Sequence, residues 1–144
     1  MGAQATLLTS FRALVEAVTD LAEHKGAVTE SGMPSTAAKG TTAGFVVTMP
    51  ATVPAGGRQR GDVIVTASIV VGLLIDVRQN NRPDAYGRAV DLEEAVLAAT
   101  LGGPKVSNWN ITYLGTERTD EGGGAYIGVR MAYEATAGIS TGAS

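Results

Sequence analysis

DVIVTASIVVGLLIDV, residues 62–77, is the stretch that decides the fold. Every odd position from Val63 to Val77 is apolar: Val63, Val65, Ala67, Ile69, Val71, Leu73, Ile75 and Val77. The even positions, Asp62, Ile64, Thr66, Ser68, Val70, Gly72, Leu74 and Asp76, are only half polar. Alternation of period two is the mark of a strand. Sixteen residues at about 3.3 Å each would reach roughly 50 Å, against a usual strand of about six residues. Such a strand is expected to bend, at Gly72, and to project beyond its own domain. A monomer rarely keeps a two-sided apolar strand of that length.

Upstream, GFVVTMPATV (44–53) alternates in the same way and should place Phe45, Val47, Met49, Ala51 and Val53 on one face. Pro50 cannot donate to a ladder, so this strand should lie at an edge or carry a bulge there. PAGGRQRG (54–61) is then a hairpin tip carrying Arg58 and Arg60. Downstream, RQNNRPDAYGRAVD (78–91) separates into a strand exit, an asparagine turn and a helix entry. Pro83 pushes Arg82 toward an extended shape, and Asp84 is an N-cap or a first-turn acid.

The helix it opens should run over 84–101, with Ala85, Ala89, Leu92, Val96 and Ala99 on one stripe, and Gly102-Gly103-Pro104 should stop it. WNITYLGTER (109–118) and AYIGVRMAYEAT (125–136) alternate as a second hairpin. At the N-terminus Leu7, Phe11, Leu14, Val18 and Leu21 form an amphipathic stripe, predicting a helix that ends near Lys25-Gly26. Residues 26–42 have no period and read as a mobile loop, and residues 137–144 as a frayed C-terminal tail. The expected fold is therefore α+β, one domain over 1–144. A four-stranded antiparallel sheet from two β-hairpins carries two helices packed on one face, in the order α-β-β-α-β-β.

Composition narrows the chemistry. The chain has no cysteine, so it can form neither a disulfide nor a thiolate metal site, and it has no cysteine nucleophile. Its single histidine, His24, is expected at a helix C-terminus, where it favours the dipole rather than catalysis. A net charge of −3 argues against a binder driven by attraction to nucleic acid or to anionic membrane. No secretory signal and no apolar run long enough to span a bilayer is visible, so a soluble intracellular chain is expected. EGGGAY and GGPKVS lack the lysine and helix start of a phosphate loop. Glu93 and Glu94 point about 100° apart on a helix and cannot converge as an acid and base pair. Glu117, Asp120 and Glu121 match no calcium loop. No catalytic residue, metal ligand or cofactor site is therefore assigned, and the protein is expected not to be an enzyme.

The leading helix LLTSFRALVEAVTDL, the paired strands GFVVTMPATV and GDVIVTASIVVGLLIDV, the helix DAYGRAVDLEEAVLAATL and the hairpin WNITYLGTER…GGGAYIGVRMAYEAT together resemble the tail-terminator family of long-tailed bacteriophages. Other neck and tail-completion proteins are similar in size and element order. The resemblance implies a structural virion protein, made in the host cytoplasm, that assembles as a homo-oligomeric ring, usually a hexamer. It implies that the ring caps the tail tube, docks a head-completion or connector protein, and lets DNA pass non-specifically through its channel, with no membrane partner.

A ring buries two different patches per subunit, which would account for the overlong strand. Arg58 and Arg60 would suit a channel or subunit contact, and otherwise form a solvated tip. Ile69 on the long strand and Arg78, Arg82 and Arg88 around the helix entry complete the set of interface or channel candidates. Two other classes stay open. One is a small intracellular binding module dimerising through an exposed strand. The other is an enzyme whose carboxylates meet only after folding.

Overall fold

The computed structural model of the chain describes residues 3–18, 21–23, 43–54, 62–76, 82–102, 109–121 and 126–140. In chain order these form α1 (Ala3–Glu16), β1 (Ala22–Glu23), β2 (Ala43–Pro54), β3 (Asp62–Asp76), α2 (Arg82–Leu101), β4 (Asn110–Glu121) and β5 (Tyr126–Ser140). The four long strands are antiparallel neighbours in the order β2-β3-β5-β4, as two joined hairpins require. The two residues of β1 add a short parallel pairing, Ala22 with Gly44 and Glu23 with Phe45, at the outer edge of β2.

β3 sits inside the sheet and is paired on both sides. With β5 it keeps one register from Asp62 opposite Ser140 to Asp76 opposite Tyr126, with no slip. Gly72 interrupts neither ladder: it stands opposite both Val46 and Arg130 in regular pairing. The odd residues of β3 face the helices. Ile69, Val71, Leu73 and Ile75 are fully buried with Phe45 of β2 and with Ile127, Val129, Met131 and Tyr133 of β5.

Leu7, Phe11 and Val15 of α1, three and four residues apart, close this core from above with Ala85, Ala89, Leu92 and Val96 of α2. Each large aliphatic or aromatic side chain buried here contributes about 1.5–3 kcal/mol. Trp109 joins the same core, and half-buried Ile111 and Tyr113 pack against it.

Among the described residues no helix lies on the other sheet face, and that face is uneven. Val46, Val70 and Leu74 are buried at one end of it, whereas Val53 and Ile64 are half exposed at the other.

Two bulges decide which side chains reach which face. Between Thr48 and Ala51 the β2–β3 register shifts by one residue, at Pro50. Pro50 was the position expected to break the ladder, because its ring nitrogen has no hydrogen to give. The slip flips every later side chain of β2. Phe45 and Val47 stay in the core, but Ala51 and Val53, expected beside them, turn to the helix-free face, and Thr52 takes their place under α1. There the Thr52 hydroxyl donates to Gln4 Oε1 at 2.7 Å. A second shift lies between Tyr113 and Gly115 of β4. Gly115 has φ +148°, a backbone region that side-chain-bearing residues rarely enter.

The termini of three elements differ from expectation. α1 ends at Glu16, not near Lys25-Gly26, and its last turn tightens as Val18 N–H bonds to the Val15 carbonyl at 3.0 Å. Thr19 and Asp20, next in sequence, are weak helix formers, and leaving the helix lets Leu21 bury and β1 pair with β2. α2 begins two residues before the expected position 84, so Arg82 and Pro83 fall in its first turn, where a proline is tolerated. Residues 137–140, expected to fray, instead continue β5, where pairing with Asp62–Val65 holds them. Residues 26–42 and 141–144, expected as loop and tail, lie outside the described residues.

Candidate functional site

The arginines and the isoleucine singled out in the sequence do not converge. Arg58, Arg60 and Arg78 lie outside the described residues. Arg82 is the first residue of α2, and Arg88 lies further along it, half-buried and engaged within the chain. Ile69 faces Tyr133 across the β3–β5 ladder and is fully buried beneath the helices. That position excludes it from any surface contact with a neighbour. Its role is in folding.

The polar group that folding does assemble lies between α2, β4 and β5. Glu93 is buried on α2 and pairs with the Arg118 guanidinium of β4, whose own side chain is about two-fifths exposed. Close by, the Thr100 hydroxyl donates to the Val96 carbonyl at 2.8 Å, which leaves its oxygen to accept from the Tyr133 hydroxyl at 3.1 Å. Phe11 meets the Tyr133 ring edge-on at 5.0 Å, and the Tyr113 ring stands 5.6 Å away. Burial pushes the Tyr133 hydroxyl up to about 12; its bond to Thr100 partly opposes the shift, while Tyr113 and the Glu93 charge add to it.

The arrangement ties α2 to the outer strand pair.

Sequence alternation could not have found this pair. Counting by twos from Trp109, Ile111 and Tyr113 puts Arg118 on the helix-free face. The bulge before Gly115 moves Thr116 and Arg118 to the helix side, opposite Met131 and Val129. The only forward signal was an acid, Glu93, next to the apolar stripe of α2.

Among the described residues large apolar side chains are exposed in three places, one of them Leu114 alone at the β4 bulge, 55% exposed. Val53 and Ile64, 52% and 50% exposed, flank Thr66 at the far end of the β2–β3 pair. There β2 is exposed from Pro50 to Pro54, and the Thr66 and Thr136 hydroxyls bond at 3.0 Å across β3 and β5. On α2, Tyr86, Val90 and Leu101 are exposed at 41%, 36% and 45%. With half-buried Leu97 they fall within about 60° around the helix, and the nearest core-stripe residue, Ala89, stands about 60° from Tyr86. A shallow depression of about 280 Å³ opens beside the β4 bulge, lined by Leu114, Gly115, Thr116, Glu117, Arg130 and Ala132.

Among the described residues no group of three or more His, Asp or Glu could hold a metal ion, and no helix is long and apolar enough to cross a membrane. No protein-family model matches the chain, and no curated protein matches it.

Proposed function

We propose that this chain is a structural ring protein of the tail-terminator kind, which caps a phage tail tube and joins it to the head side. The observation that carries this reading is the mismatch between sheet and helices. Two central strands of 15 residues each run paired throughout their length, while β2 is uncovered beyond its bulge and displays Val53. Apolar surface left over at one end of a sheet, and again on the flank of α2, suits a subunit that is covered by different neighbours on its two sides. The buried Glu93–Arg118 pair ties α2 to β4, which suits a subunit that keeps its shape between neighbours.

Native mass spectrometry with negative-stain imaging tests the proposal. A closed ring, hexameric by the resemblance, is expected at micromolar concentration, and rings that seat on the ends of purified tail tubes would extend the reading to tail termination. A monodisperse monomer at that concentration overturns it. Another head–tail connector or tail-completion protein would also form a ring but leave tube ends bare. The second reading, a strand-mediated dimeric binding module, draws on the depression beside Gly115, where Arg130 and Glu117 stand opposite one another across β4 and β5. It predicts a dimer that grows to nothing larger as concentration rises.

A further inference from the structure

We infer that the end of β4, Glu117–Glu121, is a releasable strap over the edge of the core strand β5, and that the Glu93–Arg118 pair is its catch. The strap opens about the bulge at Gly115 while the rest of the sheet stays folded. The opening belongs to a single chain and does not rest on the ring reading above.

Three observations carry it. First, β4 changes character at its bulge. Before the bulge, Ile111 and Tyr113 pack against the core beside buried Trp109, and the Tyr113 ring stands 5.6 Å from that of Tyr133. Beyond it, GTERTDE, residues 115–121, holds no aliphatic or aromatic side chain, and Glu117 to Asp120 are all exposed. Backbone pairing replaces bonds to water and contributes little net free energy, so a strand end that brings no apolar burial is weakly held.

Second, β5 does not need the strap. The residues opposite it, Tyr126 to Arg130, are paired on their other side with Asp76 to Gly72 of β3. Ile127 and Val129 among them are fully buried in the core. The core strand therefore keeps its place when the strap leaves.

Third, hinge and catch are both built. Gly115, with φ +148°, stands where the register with β5 shifts, and the Thr116 hydroxyl bonds to that of Tyr113 on the anchored side. The pivot lies just before Glu117. Arg118, about two-fifths exposed, reaches from the strap to the buried carboxylate of Glu93 on α2. A buried carboxylate depends on the cation that stays beside it, and opening trades that cation for water. Glu117 stands opposite Arg130 across the ladder, but Glu117 is exposed and solvent keeps such an attraction weak.

Closed, the strap covers the outer edge of β5, and exposed Glu117 and Asp120 blunt the border of the sheet against a further strand. Open, it bares that edge from Tyr126 to Arg130 and lets water reach Glu93.

Amide hydrogen exchange of the full chain, followed by mass spectrometry over a series of low urea concentrations, tests both parts. The strap amides are expected to exchange about tenfold or more faster than those of the β3–β5 ladder. Their rate should depend little on urea, because little surface is exposed when the strap alone opens. The alternate amides of Tyr126–Arg130 that face β4 should exchange with them. Ile69→Val trims one buried methylene outside the strap, and should speed the ladder about two- to tenfold while the strap keeps the parent rate. Arg118→Ala should speed the strap about tenfold or more.

Strap amides that exchange together with the ladder, or that quicken with it in Ile69→Val, overturn the separate opening. A strap rate unmoved by Arg118→Ala overturns the catch. If Arg118→Ala loses its fold, Arg118→Lys, which keeps the charge but not the forked donor, takes its place with a smaller acceleration expected, and an unchanged rate there overturns the catch in the same way.

Discussion

The two halves of β2 behave as different strands. From Ala43 to Val47 every residue is buried, and from Pro50 to Pro54 every residue is exposed, although both halves pair with β3 on either side of the bulge. Apolar content does not separate them, because Ala51 and Val53 continue the alternation begun by Phe45. What separates them is the slip at Pro50 and the reach of the helices above. Hydrogen bonding extends a sheet as far as the strands last, whereas a core extends only as far as the cover does. The surplus is what a partner can use.

Four changes would break or sharpen that contrast, in falling order of their effect on folding. Ile69→Glu, in the covered half, puts a charge opposite Tyr133 with no partner, and an unpaired buried charge costs several kcal/mol. No cooperative thermal unfolding is expected by circular dichroism. A soluble variant with a parent-like melting curve would show that the covered face is misassigned.

Arg118→Ala leaves Glu93 buried without its cation, and a loss of about 1–3 kcal/mol is expected by urea unfolding followed through Trp109. Glu93→Gln in the same background should recover most of it. Without that recovery, Arg118 acts through packing rather than pairing.

High pH tests the same region. Tyr133 holds its proton to about 12 in the folded chain against 10.0 for an ordinary tyrosine. The unfolded chain therefore ionises first, its bound protons fall below those of the folded chain, and stability drops as pH rises between the two values. The slope is about 1.4 kcal/mol per pH unit. Below pH 10 no change from this group is expected. Tyr133→Phe should remove this part of the alkaline loss from a series of urea melts; an unchanged series would place the titrating group elsewhere.

In the uncovered half, Val53→Ser should move the folding free energy by less than about 0.5 kcal/mol, as exposed substitutions do. An equilibrium urea curve displaced beyond that would mean the overhanging end already belongs to the monomer's own core.

Much of the fold was legible because two periods dominate the chain. The alternation of Val65, Ala67, Ile69, Val71, Leu73 and Ile75 and the three-and-four spacing of Ala85, Ala89, Leu92 and Val96 each survive into the structure with the right residues inside. Pro50 announced its bulge through missing chemistry. The α1 end was misread because Val18 and Leu21 keep a helical spacing while Leu21 is buried beyond the helix, beside a short strand pairing. The candidate site was hardly legible. Ile69, a candidate for a subunit interface or channel, lies in the core, and the Glu93–Arg118 pair depends on a bulge that only Gly115 hinted at.

The sequence by itself determined the element order, the helix-side face of β3 and β5 and the position of the first bulge, because these follow from side-chain period and backbone chemistry within a few residues. Tertiary structure alone decided how far the helices cover the sheet, which face Val53 and Arg118 occupy and which carboxylate is buried with a partner. Each of those depends on a register summed along two strands, where one inserted residue inverts every position after it.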